Sequence, residues 1–143
     1  MNQFKKIHEE INSVKLAIDK YEAVKARDIK QFVEISRFAR LDTSENGEQL
    51  IAICDRDKIW FFVPTSLEQV CSKVAEEEGI DITEVKLPDE GLRVKFNKID
   101  ISNGRTYIET IIDWERRSRW KAAYFYYEKT YKESMLGWSY GIQ

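Results

Sequence analysis

Histidine is almost absent from this chain of 143 residues: His8 is the only one. It falls on the polar side of an amphipathic first segment, beside Glu9 and Glu10. That placement excludes histidine-based triads, histidine–cysteine pairs and multi-histidine metal sites, and His8-Glu9-Glu10 lacks the second histidine that a zinc-protease helix needs. The six glycines stand singly at positions 47, 79, 91, 104, 137 and 141. Neither a G-x-G-x-x-G nor a G-x-x-x-x-G-K-S/T loop can be built from them, which excludes a backbone cradle for nucleotide phosphates. Cys54 and Cys71 are the only cysteines, each inside an apolar stretch, so buried thiols are expected rather than a disulfide framework. No apolar run reaches the roughly nineteen residues of a membrane span, and no charged start leads into an apolar block with a cleavage site. The expectation is a cytoplasmic protein.

What remains is an ordinary soluble composition: 43% apolar, 34% charged and 13% aromatic side chains, enough for a single core. The net charge of -2 is unevenly spread. Residues 1–41 hold nine cations against six anions, residues 42–114 eight against sixteen, and residues 115–143 six against three. An acidic middle argues against a protein that coats nucleic acid with its whole surface, because phosphate binding needs clustered cations that release counterions.

Phe4, Ile7, Ile11, Val14, Ile18 and Tyr21 recur at spacings of three and four. This stripe predicts a helix over about 2–26, capped by Asn2, and a second helix over about 28–40 is expected through Ile29, Phe32, Val33 and Ile35. The polar run Asp42 to Gly47 reads as a loop. Two β-rich runs around Asp55-Arg56-Asp57 predict a hairpin over about 49–63. Trp60-Phe61-Phe62-Val63 is apolar on both strand faces, so that strand needs cover on both sides. Pro64 ends it, and Thr65/Glu68 and Ser66/Gln69 both fit a capping box opening a helix over about 66–79 that Gly79 closes. Ile82 to Leu87 reads as a short strand ended by Pro88. Asn103-Gly104 predicts a type I′ turn joining a long hairpin over about 92–114. A last helix follows over about 115–135, with Gly137 placed to end it. The whole of 1–143 therefore reads as a single α+β domain, an antiparallel sheet of two β-hairpins (four or five strands) packed by N-terminal, central and C-terminal helices.

Catalytic residues are scarce. Asp55, Asp57, Asp100, Glu109 and Asp113 are the carboxylates that could converge on Mg²⁺ for phosphodiester hydrolysis, with Lys58 or Lys98 as electrostatic partner. Aspartate is also favoured in turns and on solvated strand faces, so this metal-dependent nuclease is the least favoured reading. The helix before Asp81-Ile82-Thr83-Glu84 is no helix-turn-helix, since Glu76, Glu77, Glu78, Asp81 and Glu84 would face the phosphates.

The C-terminal helix carries the strongest pattern: Glu115-Arg116-Arg117-Ser118-Arg119-Trp120-Lys121 runs into Ala122-Ala123-Tyr124-Phe125-Tyr126-Tyr127. Arg116, Trp120, Tyr124, Tyr127 and Tyr131 form one stripe, Ile112, Arg119, Ala122, Ala123 and Tyr126 lie towards another, and Phe125 falls between. Apolar groups most of the way round a helix imply burial on more than one side, and tyrosine and tryptophan are favoured interface anchors. The reading is a non-enzymatic binding protein of inhibitor, immunity or accessory type that contacts another protein, or a second copy as a homodimer. The partner-binding candidates are Arg116, Arg117, Arg119, Trp120, Lys121, Tyr124, Tyr127, Tyr131 and Trp138; no catalytic residue, metal ligand or cofactor is assigned. The alternative is a nucleic-acid-binding module in which the same cations track a backbone and the rings stack on bases.

Overall fold

The computed structural model describes residues 14–88, 91–113 and 119–132. Helix α1 covers 14–20. Strands β1 (Glu22–Ala23), β2 (Val33–Ile35), β3 (Arg37–Thr43), β4 (Gly47–Cys54) and β5 (Ile59–Phe62) follow, then helix α2 (Thr65–Glu78), β6 (Leu92–Asp100), β7 (Thr106–Ile112) and helix α3 (Arg119–Tyr127), which continues as a wider π turn over Glu128–Lys132. The architecture is α+β with two sheets, ordered β1-β5-β4-β3 and β2-β6-β7. All pairings are antiparallel except the short parallel contact of β1 with β5.

The expected apolar cover on both faces of Trp60-Phe61-Phe62-Val63 organises the larger sheet. Leu50, Ala52, Cys54 and Phe61 belong to the main core with Leu67, Val70, Cys71 and Val74 of α2. Their strand neighbours Ile51, Ile53 and Trp60 point to the opposite face and form a second core with Ala17 of α1, joined by Val14 and Ile18. Alternation along β4 therefore buries both sides, each large side chain contributing about 1.5–3 kcal/mol. The smaller sheet adds Leu92, Val94, Phe96 and Ile112 to the main core, where the Phe61 and Phe96 rings meet edge to face at 5.5 Å.

Two expected helices differ from the structure. The first stops near Lys20 instead of 26, because the chain turns into β1, where the Glu22 N–H donates to the Lys58 carbonyl and the Val24 N–H to that of Trp60. Its stretch 2–13, with the Asn2 cap, lies outside the described residues. The second, 28–40, is not a helix: a 3-10 turn over Ala26–Asp28 leads into β2 and β3. Ile29, Phe32, Val33 and Ile35 fit a helical spacing, but Val33-Glu34-Ile35 also alternates and is rich in β-branched residues. Register with Leu92 and Val94 decides between the two. At Ser36 the chain crosses from one sheet to the other, its N–H donating to the Ile53 carbonyl and its hydroxyl accepting from the Asp55 N–H.

The hairpins β4–β5 and β6–β7 pair in register around the expected turns. Asn103 and Gly104 both take positive φ, as the dipeptide predicts, but the loop holds three residues, Ser102–Gly104, instead of a two-residue I′ turn. Ile82–Glu84 is a 3-10 turn, not a strand, with Asp81 capping it through the Thr83 N–H. Helix α2 ends at Gly79 in the left-handed conformation, but neither capping box forms a side-chain cap. Its first turn is closed by the Pro64 carbonyl, which accepts from the Leu67 and Glu68 N–H groups. Among the described residues no helix is long and apolar enough to cross a membrane.

Gly91 leads into β6 at φ +91°, and a Cβ there would lie 2.8 Å from the Ile35 carbonyl oxygen. Gly91→Ala is expected to destabilise the fold by about 1–3 kcal/mol, through the strained φ and the displaced β2 backbone. Urea unfolding checks this; an unchanged midpoint contradicts the tight β2 contact. Asp81 also bonds the guanidinium of Arg40, which holds its carboxyl down at about 2. A depressed folded pKa stabilises the fold at pH values above the unfolded aspartate range of about 3.9, and the contribution is lost as pH falls towards 2. Both groups are substantially exposed, so solvent screening keeps the effect small. Asp81→Asn should flatten the acid limb of stability in that window and leave its shape near neutral pH unchanged.

Candidate interaction surface on the C-terminal helix

Helix α3 is fixed by its inward residues. Ala123 and Tyr127 are buried in the main core, Tyr127 at 1% exposure, with the Tyr124 and Tyr127 rings 5.9 Å apart. The half-buried Tyr124 donates its hydroxyl to the Thr110 carbonyl of β7 at 3.0 Å. The Thr110 side chain turns the other way and shares a buried 2.6 Å hydrogen bond with Ser66 of α2. Thr110 thus joins β7, α2 and α3. Burial raises the Tyr124 phenol above its ordinary range, with the nearby Glu128 and Glu109 charges adding to the effect, so it stays a donor.

Seen from solvent, the helix presents other residues. Phe125 is 51% exposed and Tyr126 52% exposed. The Lys73 ammonium from α2 stands 4.5 Å from the centre of the Tyr126 ring and 4.0 Å from the Glu77 carboxylate. The result is an adjacent aromatic pair on a helix whose next turn on either side is anchored in the core.

This arrangement corrects the stripe drawn through Arg116, Trp120, Tyr124, Tyr127 and Tyr131. Tyr127 is a core residue and Tyr124 a half-buried one bonded to β7, so neither is a surface anchor in this fold. The backbone of Arg119, Trp120 and Lys121 belongs to α3 and that of Tyr131 to its π continuation. Arg116, Arg117 and Trp138 lie outside the described residues. Helical periodicity alone does not group Phe125 and Tyr126 as one surface. The usable signal was Ala123 four residues before Tyr127, which sets an inward line on a helix and leaves 125 and 126 turned away.

The carboxylates are dispersed. Asp55 accepts from the Tyr21 hydroxyl at 2.9 Å, and Asp57 from the Glu34 N–H at 3.0 Å. Glu34 itself pairs with Arg56 at 3.1 Å. Asp100, Glu109 and Asp113 are spread along the β6–β7 hairpin, Asp100 opposite Thr106 near the loop, Glu109 opposite Asn97, and Asp113 beside Arg93 at 3.6 Å. Among the described residues no group of three or more His, Cys, Asp or Glu side chains is placed to hold a metal ion.

A cleft of about 400 Å³ opens between α1 and the larger sheet, lined by Leu16, Ala17, Lys20, Tyr21, Arg37 and Asp55. Three of its polar groups are engaged: Tyr21 and Asp55 bond each other, which raises the Tyr21 phenol, and Arg37 has an interaction of its own. Cys54 and Cys71 are free and buried. Burial, reinforced by the Asp57, Asp55 and Glu34 charges, pushes the Cys54 thiol up to about 12, and burial raises Cys71 as well, so neither is a nucleophile near neutral pH. No family model, no curated protein and no solved structure matches this chain.

Thr110→Val keeps the volume of the junction but strips the Ser66 hydroxyl of its partner. It is expected to destabilise the fold by about 1–3 kcal/mol, the penalty of one orphaned buried hydroxyl. Adding Ser66→Ala should recover part of that loss. A double-mutant cycle in denaturant measures the coupling; simple additivity removes Thr110 from its role as a junction.

Proposed function

We propose that this chain is a non-enzymatic, cytoplasmic protein-binding module of inhibitor, immunity or accessory type, which docks another protein on the Phe125 and Tyr126 face of α3. The observation that carries the reading is the pairing of exposure with rigidity: two adjacent aromatic rings half out in solvent on a helix whose Ala123 and Tyr127 are core residues. Such a pair loses little conformational freedom on binding, and aromatic anchors dominate the energetics of protein interfaces. Lys73 beside Tyr126 adds a cation that favours an acidic or hydrogen-bonding rim on the partner. Non-enzymatic action is supported by the dispersal of Asp55, Asp57, Asp100, Glu109 and Asp113 and by the two raised core thiols. Free, unbridged Cys54 and Cys71 suit a reducing compartment.

The test is affinity capture from the native cytosol with wild type and the Phe125→Ala/Tyr126→Ala variant, followed by titration of the captured protein. The variant is expected to keep the wild-type melting temperature and to lose roughly tenfold or more in affinity, the range of a truncated interface anchor. Recovery of the same proteins with equal affinity by both chains refutes the surface. Light scattering on the same pair identifies the case in which the bound protein is a second copy, and an oligonucleotide arm identifies the case in which it is nucleic acid.

A further inference from the structure

Among the described residues, strand β7 ends its sheet and pairs with β6 alone. The phase of that ladder shows which of its backbone groups face away. The Asp113 N–H donates to the Arg93 carbonyl and the Ile101 N–H to that of Arg105, in the register that sets Phe96 opposite Thr110. Tyr107, Glu109 and Ile111 therefore bond β6, and the N–H and C=O groups of Ile108, Thr110 and Ile112 point outward along the open edge. The strand reads Thr-Tyr-Ile-Glu-Thr-Ile-Ile, β-branched or aromatic at every position but Glu109. Such an edge invites pairing with another chain unless proline, lysine, a bulge or a cover blunts it. The other edges are blunted: β1 and β2 are two and three residues long, and β3 carries Arg40 and Asp42 with Asp81 bonded to Arg40. Strand β7 has neither proline nor lysine, and its register runs without a bulge.

What stands at this edge is α3, whose Tyr124 hydroxyl bonds the outward carbonyl of Thr110 near the middle of the strand. We propose that α3 is an edge guard, and that β7 without Tyr124 pairs antiparallel with the same strand of a second copy. The guard uses the inward side of the helix and does not depend on docking by Phe125 and Tyr126.

The experiment compares wild type, Tyr124→Ala and Tyr124→Ala/Ile108→Pro by light scattering across concentration. Ile108 donates outward, so proline there removes no bond to β6 and blocks only pairing at the open edge. Relative to wild type, Tyr124→Ala should gain mass with concentration, and the added proline should abolish the gain. Wild-type behaviour of Tyr124→Ala, or equal association of the double variant, overturns the proposal. Tyr124→Phe keeps the ring in place and removes only the hydroxyl that donates to the Thr110 carbonyl, so the ¹³C resonance of that carbonyl should shift while those of Glu109 and Ile111 stay in place. An equal shift at all three carbonyls, or none, overturns it equally.

Discussion

Everything else in the molecule is arranged around strands that are apolar on both faces. Ile51 to Cys54 and Trp60-Phe61 cannot face water on either side, so the larger sheet must lie between two covers. Helix α1 supplies one through Ala17, and α2 supplies the other through Leu67, Val70, Cys71 and Val74. The smaller sheet has no such symmetry. It gives one face to the shared core, where Phe96 meets Phe61, and carries Arg93, Lys95 and Asn97 between its buried positions. Ser36 is the hinge of this plan, since the chain leaves one sheet and enters the other across that single residue.

Helix α3 divides its aromatics between two tasks. Tyr127 fills the core and Tyr124 meets the strand edge, leaving Phe125 and Tyr126 in solvent. Thr110 is where the two tasks are reconciled, because its side chain serves α2 and its carbonyl serves α3. A helix held at both a core position and a backbone position keeps in place the backbone that carries its outward rings. That is the condition under which a small aromatic patch can recognise a surface.

The parts of the fold that could be read directly were those with local punctuation. Pro64 and Gly79 bracket α2, and Asn103-Gly104 marks the β6–β7 reversal through its positive φ values. One limit is that periodicity is ambiguous when β-branched residues fall at helical spacing. Ile29, Phe32, Val33 and Ile35 satisfy a helix until Leu92 and Val94 are there to pair with, and only the folded chain brings them together. The C-terminal helix failed differently. With rings on every side, its sequence has no polar arc to mark the solvent, so Tyr127 reads as readily outward as Phe125 does. Ser66 illustrates a third limit: its place at a helix start suggests a cap, but a buried threonine 44 residues away is the partner it finds.

The two core thiols give the chain a built-in clock. Cys54 lies in β4 against one side of the main core and Cys71 in α2 against the other, and both are shielded from solvent. A thiol held this way reacts with an external reagent only during excursions in which its surroundings part. Labelling at Cys54 therefore times the opening of the central sheet, and labelling at Cys71 times the departure of α2. Equal rates would mark a core that opens as one cooperative unit, and unequal rates would give the order in which its layers separate.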